Sequence, residues 1–350
     1  MKLNKNSFFS QILSFFKRRI VLFFLGSLVV MLIIMLLHLF DVLNSYIIQI
    51  INVSLVYVIL AVSLNLINGF TGQFSIGHMG FAAVGAYTSA TITTLLLKIT
   101  PTSLPNYLIF IIALLLGGCL AGLTGFIIGF PSLRLKGDYL AIMTLGFGEI
   151  IRTIFNNIDY VGGPRGLLGI PKFSTFPIIF ITAILTIIII RNLVFSTHGR
   201  ALLSIRENEV ASELVGIDTT KYKILAFVIG AFFAGIGGGL LAHLIQIAHP
   251  TQFGFMYSIL VLIMVYAGGM GSISGSVIAA FVLTFLSEGL RVGLASLSNL
   301  IKFTVGDQWR MVIYSLLLIF IMLFRTEGLM GMKELKFLIP EEEDIDGKCS

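Results

Sequence analysis

The sequence has few charged residues for its length. Of its 350 residues, 11% are Asp, Glu, Lys or Arg, whereas 57% are hydrophobic and the mean hydropathy is +1.01. Soluble domains are about 25% charged, so a soluble fold of this chain would expose large apolar patches. The composition excludes a soluble domain, a coiled coil and a disordered chain, and it predicts an all-α polytopic membrane protein.

Residue types that bind metals or carry out catalysis are also scarce. The two cysteines, Cys119 and Cys349, offer neither a disulfide framework nor a C-x-x-C metal site. The five histidines include no H-E-x-x-H pair, and no G-x-x-x-x-G-K-[ST] phosphate loop occurs. The net charge of +6 is modest. In a membrane protein, excess Lys and Arg indicate the orientation of the chain in the membrane rather than an anionic partner. We therefore predict no enzyme activity, no bound metal or cofactor, and no nucleic-acid partner.

Apolar segments long enough to cross a lipid bilayer recur along the chain. We count about ten, with eight or nine as the alternative because three segments are interrupted by glycine. They lie near residues 21–40, 46–67, 78–97, 107–130, 138–155, 176–190, 223–247, 253–269, 275–296 and 309–325. The first follows Lys17, Arg18 and Arg19, is long for a signal-peptide core and lacks an obvious cleavage site, so we interpret it as a retained span.

The distribution of Lys and Arg predicts how these segments are oriented. With the N-terminus inside and strict alternation, 16 of the 23 Lys and Arg residues fall in cytoplasmic segments and five fall outside. Cytoplasmic loops are enriched in such residues, so both termini are predicted to be cytoplasmic. The predicted divisions are a cytoplasmic N-terminal segment at 1–20, a transmembrane domain at 21–330 with a polar cytoplasmic segment at 191–222, and an acidic cytoplasmic tail at 331–350.

Glycine, by contrast, is frequent and clustered. Of the 36 glycines, five lie in residues 69–85 (GFTGQFSIGHMGFAAVG) and four in residues 268–275 (GGMGSISG). Glycine allows close helix packing, and it also permits helix breaks at which backbone groups line a solute path. Both interpretations stay open, although the polar residues of the first cluster favour a pathway or hinge and the second cluster is nearer to plain packing. The candidate pathway or hinge residues are Asn65, Gly69, Gly72, Gln73, Ser75, Gly77 and His78.

Charged residues within the predicted spans form two pairs. Glu149 and Arg152 are three residues apart, as are Glu288 and Arg291, so each pair shares a helix face on which the charges neutralise each other. The predicted topology puts both pairs in the outer half of the membrane. They are either ion pairs at helix ends or a polar outer vestibule that contacts an external partner. No unpaired carboxylate occurs deep in a predicted span, which argues against an ion-coupled transporter.

Residues 199–217 (GRALLSIRENEVASELVGI) predict one amphipathic cytoplasmic helix that ends at Gly216. Leu203, Val210 and Leu214 lie on one side, and the other side carries both arginine and glutamate. A mixed polar face is a poor match for anionic lipid, so the segment favours a protein partner over the membrane surface.

Several stretches together resemble the permeases of ABC importers for branched-chain amino acids. Their order, their spacing and the extra N-terminal span resemble the LivM-type subunit rather than the shorter LivH-type subunit. The stretches are 63–90 (SLNLINGFTGQFSIGHMGFAAVGAYTSA), 137–152 (GDYLAIMTLGFGEIIR), 162–171 (GGPRGLLGIP), 199–240, 268–280 (GGMGSISGSVIAA) and 325–331 (RTEGLMG).

The resemblance implies a permease that works by alternating access in a bacterial cytoplasmic (inner) membrane. It implies a second, LivH-type permease, an extracytoplasmic solute-binding protein, and two cytoplasmic ATPase subunits of the LivG and LivF types, which bind the ATP and Mg²⁺. The implied solutes are Leu, Ile and Val, with urea, amides or other amino acids as alternatives. An ion-coupled secondary transporter is a more distant alternative.

The resemblance also implies that the helix at 199–217 docks on an ATPase. Permeases of ABC importers often carry an E-A-A-x-x-x-G pattern there, which Glu209, Ala211 and Gly216 match loosely. Val210 occupies the second position, and the glycine comes one residue late. The residues expected to couple to the ATPase are Arg206, Glu209, Ala211, Glu213 and Gly216.

Overall fold

The helices of the protein follow the apolar segments that the sequence predicts. The computed structural model describes residues 24–40, 43–99, 106–132, 138–301, 316, 319, 323, 328–331 and 333–335. Each of the first nine predicted segments contains a helix. The tenth, near 309–325, lies almost entirely outside the described residues, as do the predicted N-terminal segment and most of the acidic tail.

Eleven α-helices have both ends within the described part of the chain, and the described residues 316, 319 and 323 are helical as well. The long helices are α1 (Phe24–Leu39), α2 (Ser45–Asn65), α3 (His78–Ile99), α4 (Asn106–Ser132), α5 (Asp138–Asn157), α6 (Phe176–Val194), α9 (Thr219–Ile245), α10 (Phe255–Gly268) and α11 (Ile273–Ile301). The two short helices are α7 (Thr197–Glu207) and α8 (Glu209–Leu214), which connect α6 to α9.

Seven of the described helices are long and apolar enough to cross a membrane, namely α2, α3, α4, α6, α9, α10 and α11. Helix α1 is apolar but shorter over its described length. Helix α5, which contains Asp138, Glu149 and Arg152, is not among the seven. The prediction of an all-α polytopic protein is confirmed.

Helix α9 lies at the centre of the bundle and packs mainly on α3 and α4. Glycine allows these helices to approach so closely. A Cβ atom on Gly238 of α9 would lie 1.9 Å from the carbonyl oxygen of Ala82 in α3, and one on Gly85 would lie 2.0 Å from that of Gly235. Small residues at helix contacts are how helices associate in a bilayer, where no hydrophobic effect drives them together.

A short antiparallel pair of strands adds to the helical fold. β1 (Leu167–Leu168) pairs with β2 (Ile247–Ala248). The strands attach the long connection between α5 and α6 to the end of α9. That connection also contains two 3₁₀ turns, Asp159–Val161 and Gly163–Arg165.

The connections gather at two ends of the bundle. At one, here called the α7 end, Arg206 of α7 contacts Gly69 after α2, and Asn65 contacts Ser272 between α10 and α11. At the other, here called the strand end, β1 and β2 pair and Glu149 of α5 contacts Phe255, the first residue of α10. The α7 end contains the predicted hinge and the predicted ATPase-coupling segment.

Candidate functional site

Helix α2 ends in a widened turn. Residues Leu66–Phe70 form a π-helix, and an extended chain then leads to His78 at the start of α3. Such π-helical turns are rare and often lie at functional sites. The break that the glycine cluster predicts between α2 and α3 is therefore present in the structure.

Asn65 connects this turn to the second glycine cluster. Its buried amide nitrogen donates to the carbonyl oxygen of Ser272 and to the hydroxyl oxygen of Ser276, both at 2.8 Å. Its amide oxygen accepts from the backbone N–H of Gly271 at 3.0 Å. Buried polar groups that are satisfied in this way fix the relative positions of their helices. We call the set Asn65, Gly69, Gly271, Ser272 and Ser276 the glycine junction.

Gly69 allows the two chains to meet at the glycine junction. A Cβ atom on Gly69 would lie 1.8 Å from the Oδ1 atom of Asn65 and 2.4 Å from the backbone nitrogen of Gly271. The sequence alone puts the second cluster closer to plain helix packing. The structure instead includes it in the same hydrogen-bonded junction as the predicted hinge.

Arg206, near the end of α7, reaches the glycine junction. Its Nη1 group donates to the carbonyl oxygen of Gly69 at 3.1 Å, and its Nη2 group lies 2.7 Å from the carboxylate of Glu207. The side chain of Arg206 is 22% exposed, whereas that of Glu207 is 70% exposed. The predicted coupling segment and the predicted hinge are therefore in direct contact.

A cavity of about 640 Å³ lies beside this contact. Its walls come from the end of α2, from α7, from α10 and from the chain near residue 330. Gly69 and Gly72 are the predicted pathway residues that line it, together with charged and apolar residues such as Arg206, Tyr266 and Lys333. No described group of three or more His, Cys, Asp or Glu residues could hold a metal ion. The cavity therefore lies where the predicted coupling segment meets the predicted hinge.

The other predicted pathway residues lie in the buried connection between the π-helix and α3. Ser75 is held through its backbone, which exchanges two hydrogen bonds of 3.2 Å with the side chain of Asn68. The Nε2 atom of His78 lies 2.9 Å from the hydroxyl oxygen of Ser63 in α2. Both contacts attach the connection to the end of α2.

Gln73 and Gly77 complete this buried connection. A Cβ atom on Gly77 would lie 2.0 Å from the carbonyl oxygen of Thr144, so the chain here packs directly on α5. The side-chain amide of Gln73 is buried and has no hydrogen-bond partner within the described ranges. Neither residue lines the cavity described above.

The single amphipathic helix predicted at 199–217 is wrong, because the structure has two helices there. Asn208 adopts an extended conformation (φ −157°, ψ 106°), and its side chain accepts from the backbone N–H of Ala211 at 3.0 Å. Asn is a favoured N-cap residue, so Asn208 ends α7 and starts α8. The predicted stop is confirmed, since Gly216 has φ +90° and closes α8 in a Schellman motif.

Two of the predicted ATPase-coupling residues hold α8 to α9. The carboxylate of Glu209 lies 2.7 Å from the ammonium group of Lys223, with the two side chains 26% and 10% exposed. The carboxylate of Glu213 accepts from the hydroxyl group of Thr219 at 2.8 Å. Both glutamates therefore have partners in α9 of the same chain, which the sequence pattern did not show.

Apolar side chains of α8 and of Val215, the residue that follows it, are exposed. Val210, Leu214 and Val215 are 60%, 84% and 82% exposed, and we call them the α8 apolar face. Ala211 and Gly216 are exposed beside them. The sequence placed Val210 and Leu214 together on one side of a helix, but it did not show which side faces outward.

Asp218 fixes the turn between α8 and α9. Its carboxylate accepts from the backbone N–H of Lys221 at 3.1 Å and lies 2.8 Å from the ammonium group of the same residue. The side-chain hydrogen bond from Lys221 holds the pKa of Asp218 below its ordinary value. The start of α9 is thereby capped next to the point where α8 is attached.

The ion pair between Glu209 and Lys223 gives a testable prediction. Lys223→Glu should lower the stability of the protein by about 1–3 kcal/mol, because it places two carboxylates together in a largely buried site. Glu209→Lys should do the same with two ammonium groups. The measurement is the thermal midpoint of the purified protein in mild detergent.

The double variant Glu209→Lys/Lys223→Glu is the control for this pair. It restores opposite charges at the same positions, so most of the lost stability should return. A double variant no more stable than the single variants would show that the ion pair does not hold α8.

Both predicted ion pairs toward the strand end are formed. The Nε atom of Arg152 lies 3.0 Å from Glu149, and the Nε atom of Arg291 lies 2.8 Å from Glu288. The four side chains are between 30% and 46% exposed. Partly exposed pairs of this kind contribute little stability by themselves.

Each of these pairs also binds another helix. Glu149 accepts from the backbone N–H of Phe255 at 2.9 Å, at the start of α10. Glu288 accepts from the hydroxyl group of Tyr46 at 2.7 Å, at the start of α2. The pairs therefore connect neighbouring helices in addition to neutralising their own charges.

Known proteins provide an independent comparison. The family described as the permease component of the branched-chain amino acid transport system matches residues 46–322. The high-affinity branched-chain amino acid transport system permease proteins LivM of Salmonella typhimurium and Escherichia coli are 33% and 32% identical to the chain over 320 residues. Each alignment covers 81% of this chain and 70% of the relative.

A second type of relative matches a smaller part. The permease protein LivH of Escherichia coli is 30% identical over 142 residues, which cover 41% of this chain and 42% of the relative. No solved structure matches the chain significantly. The match over residues 46–322 extends from α2 through the hinge, the coupling segment and α11. The chain therefore belongs to the family of permease components of branched-chain amino acid transport systems.

Proposed function

We propose that this chain is a transmembrane permease subunit of an ATP-binding-cassette importer for branched-chain amino acids. It forms the solute pathway together with a second, LivH-type permease. A solute-binding protein delivers Leu, Ile or Val at the outer surface. Two ATPase subunits of the LivG and LivF types bind ATP and Mg²⁺ and drive alternating access, so this chain is a transporter subunit and not an enzyme.

The α8 apolar face is the observation that carries this proposal. Exposed apolar side chains on a helix are typical of a surface that fits a groove of a partner protein. Glu209 and Glu213 bond to Lys223 and Thr219 of α9, and Asn208 and Gly216 cap both ends of α8. A short, rigid helix with an outward apolar face supports docking on an ATPase.

The proposal includes an inner-membrane location with both termini cytoplasmic, and the arrangement of the connections supports this orientation. The described part of the C-terminal region, which includes Lys333, contacts the same end of the bundle as α7. Arg200, Arg206 and Lys221 also belong to the segment at this end. Because cytoplasmic connections are rich in Lys and Arg, we assign the α7 end to the cytoplasm, with an even number of spans, about ten.

The contacts at the α7 end suggest how ATP binding alters the pathway. Closure of the ATPase dimer moves α8, and α7 moves with it because Asn208 joins the two helices directly. Arg206 then transmits the displacement to Gly69 and hence to the glycine junction. Since the junction connects α2 to α11, a shift there rocks these helices between outward-facing and inward-facing states.

Reconstitution with the cognate subunits tests this function. We expect ATPase subunits to copurify with the chain in mild detergent, and labelled leucine to enter proteoliposomes when the binding protein and ATP are present. Labelled urea serves as the comparison solute. Import of urea without leucine would contradict the proposed solute. Uptake without any ATPase subunit would contradict the importer class and favour an ion-coupled transporter.

A further inference from the structure

The described C-terminal residues, 328–331 and 333–335, lie across the turn between α10 and α11, and we call them the C-terminal strap. The backbone N–H of Leu329 donates to the carbonyl oxygen of Ala267 at 2.7 Å, and that of Met330 donates to Gly268 at 3.1 Å. The last carbonyl groups of a helix lack partners within the helix. The strap supplies partners for two of them at the end of α10.

Glycine makes this contact close. A Cβ atom on Gly269 would lie 2.3 Å from the carbonyl oxygen of Gly331, and one on Gly328 would lie 2.6 Å from the backbone nitrogen of Gly269. Gly269 and Gly328 have φ angles of +114° and +82°, a region that favours glycine. The strap and the turn are therefore fitted to each other over their backbones.

Glu334 of the strap caps the start of α11. Its carboxylate accepts from the backbone N–H of Ile273, from that of Ser274 at 3.1 Å, and from the hydroxyl group of Ser274 at 2.7 Å. The first N–H groups of a helix lack partners and favour a negative charge. Because this capping group comes from a distant part of the chain, it fastens the strap to α11.

The same turn is also held by the glycine junction. Ser272 shows this arrangement, since its carbonyl oxygen accepts from Asn65 and its hydroxyl group donates to the carbonyl oxygen of Lys333 at 2.9 Å. The cavity of about 640 Å³ is lined both by Lys333 and Met330 of the strap and by Arg206 of α7. The turn is thus bonded both to Asn65 of the glycine junction and to the strap, next to the cavity.

We propose that Glu334 is a positioning residue for energy coupling, acting through the C-terminal strap. With Glu334 in place, a displacement that Arg206 delivers to the glycine junction moves α11 together with α2. Without it, only the hydrogen bonds of Asn65 hold α11 to the junction, so less of the displacement reaches α11 and more ATP is hydrolysed per solute imported. The inference rests on the proposed function, because it requires an ATPase that drives α8.

Glu334→Ala in the full reconstituted complex tests this inference. We expect leucine uptake to fall about tenfold or more, because three charge-assisted hydrogen bonds to α11 are lost. ATP hydrolysis stimulated by the binding protein should stay within about twofold of the original rate, since the α8 apolar face is untouched. The number of ATP molecules hydrolysed per solute imported should therefore rise. Glu334→Asp, which keeps the charge, should recover part of the uptake.

Glu342→Gln is the matched control, because it removes a negative charge from the acidic tail at another position, and it should leave the ratio unchanged. An unchanged ratio in Glu334→Ala would overturn the proposal, as would an equal fall in uptake and hydrolysis in an assembled complex. If the Glu334→Ala variant does not assemble, the same ratio of ATP hydrolysed to solute imported is measured in Glu334→Gln. An unchanged ratio there would also overturn the proposal. Absence of any ATP-driven uptake by the unaltered complex would instead count against the proposed function.

Discussion

Leu214→Asp combined with Val215→Asp should release the ATPase subunits from the complex. These side chains are 84% and 82% exposed, and burying an aliphatic side chain of this size contributes about 1.5–3 kcal/mol. Losing two such contacts, with two carboxylates in an apolar groove instead, should weaken binding by about 100-fold or more. The measurement is the amount of ATPase subunit that copurifies with the permease in mild detergent.

Leu168→Asp is the control for this result. Leu168 is 63% exposed on β1, at the strand end of the protein, so the same chemical change is made on the opposite surface. We expect this variant to retain its ATPase subunits. Retention of the subunits by the Leu214→Asp/Val215→Asp variant would show that α8 is not the docking surface.

The outward position of the α8 apolar face also changes what is expected of Glu209 and Glu213. The family resemblance implies that these carboxylates couple the chain to the ATPase. The structure pairs them with Lys223 and Thr219, so their replacement acts on docking by loosening α8. For Glu209, the double variant Glu209→Lys/Lys223→Glu distinguishes the two explanations. It restores the ion pair within the protein but does not restore a contact between Glu209 and a partner.

Gly69→Ala should abolish most of the solute uptake. The added Cβ atom would lie 1.8 Å from Asn65 Oδ1 and 2.4 Å from the backbone nitrogen of Gly271, so α2 and the turn before α11 must separate. Overpacking of this kind costs about 1–3 kcal/mol, and the hydrogen bonds of Asn65 add about 0.5–1.5 kcal/mol each. We expect uptake to fall about tenfold or more, measured with labelled leucine in proteoliposomes.

Gly26→Ala provides the matched control for the glycine junction. Gly26 lies in α1, and nothing is within 4 Å of the position of its Cβ atom. Alanine there should be neutral or slightly stabilising, because alanine favours a helix by about 1 kcal/mol over glycine. Asn65→Ala removes the hydrogen bonds without added volume and should also lower uptake. Normal uptake in both Gly69→Ala and Asn65→Ala would show that the junction does not transmit movement.

Local features of the site follow from the sequence because they depend on neighbours three or four positions apart. The pairing of Glu149 with Arg152 and the stop at Gly216 are examples, and the structure contains both. The N-cap at Asn208 carried a local signal as well, since Asn directly before a helix-forming stretch with Glu at its first position is a typical helix start. The prediction of one helix at 199–217 overlooked that signal.

Contacts between distant segments gave no such signal. Asn65 and Ser272 are 207 positions apart, and Arg206 and Gly69 are 137 positions apart. Glu334 belonged only to a predicted acidic tail, and nothing in its neighbours indicates that it caps α11. Helical periodicity tells which residues share a face, but it does not tell which other helix that face meets.

The sequence by itself determined that this protein is a polytopic helical membrane protein, where its long helices lie and which family it resembles. Low charge, long apolar segments and clustered glycine are properties of the chain that hold in any packing. Only the tertiary structure decided that the two glycine clusters meet at Asn65, that Arg206 reaches them, and that the α8 apolar face points outward. Those facts depend on how helices far apart in sequence pack together, because that packing determines which polar groups come within hydrogen-bond distance of each other.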